Sequence, residues 1–233
     1  MQEIYDAWAP QYDELVARED HAGLLRDRIR SFLRGANRAG SESARVLELG
    51  AGTGRVTACY IDIVASAVCC DKSRHMLDRA RLNLAADSDR IEFLALDTRD
   101  PSSLHIHGAF DIAIEGWSLG HTAIDENQRI DHFLGSFFQE MRRLLRTGGR
   151  IALIETLGTN VDHPAPPSDK LAGLYDRLET NFGLTRETIR TDYRFNSVED
   201  ARRIMGFFFG DEMARSIRCE TIPEYTGFWT TRP

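Results

Sequence analysis

The segment Val46–Arg55 reads VLELGAGTGR. Four residues, three of them apolar, lead into three alternate glycines, Gly50, Gly52 and Gly54, with Ala51 between the first two. Such a run predicts a strand that turns sharply into a helix. Glycine lets the backbone reverse and lets a ligand come close to it. The helix start that follows offers unpaired N–H groups and the positive end of a dipole. The spacing is informative. A dinucleotide fingerprint requires G-x-G-x-x-G, and the position of its third glycine is taken here by Arg55. Glu48 stands two residues before Gly50.

Downstream, apolar runs and helical patterns alternate. Strands are predicted at Arg45–Leu49, Ile63–Cys70, Ile91–Leu96, Phe110–Glu115 and Arg150–Glu155, with helices from Gly54, at Ser73–Ala85 and at Gln128–Arg146. Repeated βα units imply a parallel sheet covered by helices on both faces. Upstream, Tyr5, Trp8, Tyr12 and Leu15 form an aromatic stripe at helical spacing, and a second helix is expected over His21–Leu33. Pro10 interrupts the first helix or starts a new turn. Beyond the proline-rich loop Asp162–Ser168, a helix, a strand at Arg186–Phe195, a helix at Ser197–Gly210 and a last strand at Arg218–Thr230 bring the sheet to seven strands. Pro223 marks an edge or bulge in that last strand. The fold class is α/β, with residues 1–40 as a helical lid, 41–155 as the ligand-binding core and 156–233 as the substrate side of one domain.

Two acids follow the strands. Asp71 closes the second strand, 21 positions after Gly50, where an acid accepts hydrogen bonds from ribose hydroxyls or caps the next helix. Lys72 and Met76 lie in the following DKSRHML, Met76 being a core residue or a cofactor contact. Asp97, followed by Thr98, ends the third strand.

In order and spacing, Glu48, the glycines, Asp71 with DKSRHML, and Asp97 resemble the class I, Rossmann-like S-adenosylmethionine (SAM)-dependent methyltransferases. That resemblance covers about residues 45–155. Their first motif is E/D-x-G-x-G-x-G, and their second strand continues as D-x-S-x-x-M-L. It implies a doubly wound, mostly parallel seven-stranded sheet and SAM as cofactor. The cofactor would be held by Glu48, Gly50, Ala51, Gly52, Gly54, Asp71, Lys72, Met76, Asp97, Thr98, Glu115, Gly116, Trp117 and Tyr12, with Asp97 and Thr98 at the adenine. Residues after the fourth strand would line the junction of cofactor and substrate. Many nucleic-acid amino methyltransferases carry N/D-P-P-Y/F there. This chain has Glu115-Gly116-Trp117-Ser118, which argues against base methylation.

His121 is the first candidate base, since imidazole titrates near neutral pH; a loop histidine bonded to backbone is the plainer reading. Tyr5, Trp8, Trp117, His121 and Glu155 are the candidate acceptor contacts. Asp192–Arg194 and Glu224–Trp229 read as strand residues that could add polar contacts. The net charge of −7 moves the expectation toward a small molecule and away from DNA. Four cysteines without metal spacing suggest no metal site. No signal peptide or membrane-length apolar run is seen, and a cytoplasmic monomer or homodimer is expected. Methylation of RNA or protein, or a non-catalytic SAM-binding role, are the alternatives.

Overall fold

The computed structural model describes residues 8–36, 41–105, 107–126 and 129–231. Its main sheet has the order β3-β2-β1-β4-β5-β9-β6. The central strands are β1 (Arg45–Leu49), β2 (Ser66–Asp71), β3 (Ile91–Ala95), β4 (Phe110–Gly116) and β5 (Leu145–Thr159), all parallel. The chain starts at β1, runs outward to β3, then returns to the other side of β1 as β4. The strand order therefore reverses between β1 and β4, and in open α/β sheets a ligand crevice opens at such a point, beyond the carboxyl ends of the strands. At the far edge β9 (Glu224–Thr230) runs antiparallel between β5 and β6 (Thr185–Arg190). The mostly parallel seven-stranded α/β sheet is thus present, and it continues from the 41–155 portion into the 156–233 portion.

Period-2 alternation divides the core. Leu47, Leu49 and Cys70 pack on one face with α6 (Ile130–Leu144) and α7 (Asp169–Thr180). Val46 and Cys69 pack on the other with α2 (Leu24–Ala36) and α3 (Arg55–Ala58). Adjacent Cys69 and Cys70 point to opposite faces, as a strand requires. In α6, Phe133, Leu134, Phe137, Phe138, Met141 and Leu144 are buried, leaving Arg142 and Arg143 on its outer side.

Several boundaries differ from the sequence reading. Residues Ile61–Ile63 form a 3-10 turn, so β2 begins only at Ser66. The run Arg186–Phe195 is divided. β6 stops at Arg190, and β7 (Tyr193–Arg194) pairs with β8 (Thr221–Ile222) in a separate ribbon. Thr191 N–H donates to the Glu224 carbonyl and Asp20 N–H to the Thr191 carbonyl, which fixes that turn. Pro223, lacking an N–H, separates β8 from β9. Leu119–Asp125, read as a loop, is a helix, α5.

Before the sheet, α1 (Ala9–Val16) starts with Pro10 in its first turn, where proline costs no hydrogen bond. Its Leu15 joins a third apolar cluster with Tyr193, Phe195 and Ile222 of the ribbon region and with α8 (Val198–Phe209), which is followed by α9 (Asp211–Ser216). The N-terminal helix and the late insertion therefore pack as one cap. Tyr5 lies outside the described residues.

Candidate active site

All three loop glycines have positive φ: 68° at Gly50, 54° at Gly52 and 87° at Gly54. A side chain at Gly50 would collide with Ser118, its Cβ falling 2.2 Å from the Oγ. One at Gly54 would meet Leu84 at 2.6 Å. Gly52 differs: its nearest neighbour would be Met76 Cε at 3.8 Å, which leaves backbone open to a ligand. The Ala51 N–H donates to the Cys70 carbonyl at the end of β2, holding the loop over the sheet.

Asp71 joins loop and helix. Its Oδ2 accepts from Gly52 N–H at 2.9 Å and its Oδ1 from Ser73 N–H at 2.8 Å. A carboxylate carries about four lone-pair sites, so both oxygens keep capacity toward the cavity. Burial pushes the Asp71 carboxyl up, and the two N–H donors oppose that. The cap of α4 (Arg74–Asn83) is Ser73, whose Oγ accepts from Met76 N–H.

These groups open on a cavity of about 330 Å³ lined by Tyr12, Gly50, Asp71, Lys72, Asp97, Thr98, Gly116, Trp117 and His121, among others. Asp97 is held by Arg99 at 2.6 Å, which keeps its carboxyl below the usual range. Gly50, Asp71 and Asp97–Thr98 succeed one another from the ends of β1, β2 and β3. That order suits an amino-acid tail, a ribose and an adenine, so the residues present fit SAM.

Four of the predicted cofactor residues have other roles. Glu48 lies beneath the loop, where its Oε2 accepts from Thr57 Oγ1 at 2.8 Å and Tyr60 Oη at 2.6 Å. It braces α3, and burial pushes its carboxyl up to about 7. Met76 is 1% exposed and belongs to the core. Gly54 is the N-terminal cap residue of α3, its Cβ direction filled by Leu84. Glu115 turns back on α5: its Oε1 accepts from Ser118 N–H at 2.8 Å, from Ser118 Oγ and from Leu119 N–H. Burial raises it to about 7.

That capping bends the chain at Trp117, a non-glycine residue at φ 55°. Such backbone costs of order 1–3 kcal/mol and clusters at functional sites. It aims the indole to the boundary with a second cavity, of about 520 Å³. Tyr12, Trp117, His121 and Ile124 line both cavities. Burial lowers the His121 pKa; the Lys72 charge adds to this and Asp125 opposes it. That shift favours the neutral imidazole, the form able to accept a proton.

The second cavity is walled by apolar side chains, including Leu15, Leu171, Phe208 and Met213, and by Glu19, Arg55, Glu155, Tyr193 and Glu224. Pro167 and Ser168 of the proline-rich loop complete it. Arg55 pairs with Glu19 at 2.5 Å and lies 3.8 Å above the Trp117 ring. Glu155 accepts from Gly120 N–H at 2.6 Å, and burial, then the nearby Glu115 charge, raise it well above the carboxylate range. Trp8 is not part of this wall: it stacks edge-on against Phe207 and is 41% exposed. The sequence reading missed Glu19, Arg55 and Phe208. Only Arg55 left a signal, as an arginine at the third-glycine position.

Residues 46–149 match the family model described as a methyltransferase domain. This stretch is a methyltransferase domain. Over 112 residues the chain is 33% identical to demethylmenaquinone methyltransferase of Clavibacter sepedonicus, covering 48% of this chain and 40% of that protein. The chain is 28% identical over 131 residues to squalestatin tetraketide synthase of Phoma sp. (strain C2932), covering 52% of this chain and 5% of that protein. The chain thus spans well under half the length of the curated relatives it matches.

Among solved structures, a candidate type II methyltransferase from Anaeromyxobacter dehalogenans superimposes with a TM-score of 0.59 at 15% identity, covering 90% of this chain and 96% of that one. Precorrin-6y C5,15-methyltransferase of Geobacter metallireducens gives 0.53 at 13% identity, covering 88% of each. These likenesses extend the methyltransferase fold over the cap and the late strands. Among the described residues, no group of three His, Cys, Asp or Glu side chains could hold a metal ion, and no helix is long and apolar enough to cross a membrane.

Proposed function

We propose that the chain transfers a methyl group from SAM to nitrogen or oxygen of a small-molecule acceptor. The observation that carries this is the pair of adjoining cavities with Tyr12, Trp117, His121 and Ile124 as their common wall. Both volumes lie in the range of small-ligand sites, roughly 300–1,000 Å³. SAM, when bound, supplies a methyl group on a positively charged sulfur. Gly50, the open Gly52 backbone, Asp71, Lys72, Thr98 and Gly116 hold it, while Ala51 and Glu48 keep the loop in shape. Trp117 and Tyr12 exclude water from the junction and fix the line of attack, the largest contribution available to such a displacement. His121 takes the acceptor's proton.

The cavity below the cap and the net charge of −7 favour a small molecule over RNA or protein. All four cysteines are free, which suits a reducing, cytoplasmic setting. The test is release of S-adenosylhomocysteine (SAH) from SAM with panels of amines, phenols and carboxylates, beside bulk RNA and protein. Turnover confined to small molecules supports the reading. Turnover confined to RNA or protein contradicts it.

A further inference from the structure

The second cavity is lined by more acidic than basic side chains. Among its described lining residues, Glu19, Glu155 and Glu224 are acidic, and Arg55 is the one permanent cation. Arg55 is already committed, to Glu19 at 2.5 Å and to the Trp117 ring. Among the described residues, Glu155 and Glu224 therefore face the space with no ion pair of their own; the Arg55 charge reaches Glu224 only as the least of its influences.

Glu224 is the sharper case. It is 2% exposed. Its Oε1 accepts from Thr156 Oγ1 at 2.9 Å, while its Oε2 is buried and makes no hydrogen bond. The Thr159 hydroxyl beside it gives the carboxyl some further support. A buried carboxyl oxygen without a donor costs about 1–3 kcal/mol, more if charged. A fold tolerates that cost where a ligand supplies the missing donor. The position fits such a role. Glu224 opposes Thr159 on the antiparallel pair of β5 and β9, four residues along β5 from Glu155. That offset puts it on the order of 10 Å further along the strand than Glu155, which sits beside Gly120 and the common wall. Glu224 does not line the cofactor cavity.

We propose that the acceptor is a cationic amphiphile whose protonated amine docks at Glu224, its apolar body against Phe208, Met213 and Leu171, and its methylated atom at Trp117 and His121. This rests on the methyltransferase reading and narrows it to a substrate class. An ammonium group gives Glu224 its missing donor and balances the excess of acid. A carboxylate at the same place would meet Glu19 and Glu224 together. Burial, with the Glu19 charge second, holds the Glu224 carboxyl up at about 8. An incoming ammonium ion would draw it into the ionised form.

The test is calorimetric titration with three probes of matched shape: 2-phenylethylamine, 3-phenylpropan-1-ol and 3-phenylpropionate. It is run on the chain alone and on the chain saturated with SAH. Amine affinity at least tenfold above both others is expected. Glu224→Gln should reduce it to the level of the alcohol without changing SAH affinity. Equal or tighter binding of the alcohol or the carboxylate overturns the proposal, and so does absence of binding by all three. The wild-type panel decides even if the variant does not fold. An amine preference in a chain that fails to bind SAH would retain this cavity assignment and discard methyl transfer.

Discussion

The Arg55 guanidinium lies 3.8 Å above the centre of the Trp117 ring while it holds Glu19 at 2.5 Å. One side chain thus ties the linker after α1 to the glycine loop and to the indole between the two cavities. The side chains of Arg55 and Glu19 are 17% and 2% exposed. Breaking such a pair from one side leaves a buried charge and costs about 3–5 kcal/mol. Arg55→Ala should therefore lower the urea midpoint sharply with little change in slope, and Arg55→Ala with Glu19→Ala should recover part of the loss. If Arg55→Ala unfolds at the wild-type midpoint, the latch carries no energy.

Asp71 does two jobs at once, bracing Gly52 and Ser73 and facing the cavity of about 330 Å³ proposed to hold SAM. Asp71→Ala removes both. SAH affinity should fall by about 2–3 kcal/mol, on the order of a hundredfold. Unchanged affinity in a folded variant would refute the assignment.

His121→Ala should lower turnover by about 100-fold or more, the usual share of a positioned base. SAH affinity should stay near the wild-type value. Because the His121 pKa is depressed, activity should hold below the usual imidazole value of 6.5 before it falls. A variant with normal turnover on its true acceptor would remove His121 from the chemistry.

Glu48 predicts a stability trend. Its folded carboxyl sits near 7 against an ordinary 4.5. Between those values the folded state holds more protons than the unfolded state, so stability falls as pH rises through that window and levels off above it. Glu48→Gln keeps a carbonyl for both hydroxyl donors and cannot ionise. Relative to wild type it should gain on the order of 2 kcal/mol between pH 5 and pH 8, measured by urea unfolding. A constant difference between the two proteins across that range would contradict the buried ionisation.

The parts of the fold legible in the sequence are those governed by local rules. Alternation placed β1, β2, β3 and β4, and the glycine spacing located the turn where the strand order reverses. Asp71, Asp97 and Thr98 line one cavity, as residues at neighbouring strand ends can. The misreadings have physical causes. Glu115 became a helix cap because the segment after β4, read as a loop, forms α5, whose N–H groups the carboxylate satisfies. Glu48 and Met76 face the core, and spacing alone does not tell a buried side from a ligand side. Trp8 lies one helical turn from Tyr12 but on the face that meets Phe207. Glu19 and Glu224 are 205 positions apart and meet the same cavity only through the cap and the antiparallel β9, a relation no local pattern encodes.

On the proposed function, the glycine loop, Asp71 and Trp117 form a SAM site and not a dinucleotide site. Calorimetric titration of the purified chain with SAH, with NAD as the control, tests it most directly. The account predicts micromolar binding of SAH and none of NAD; binding of NAD, or no binding of SAH by folded protein, would contradict it.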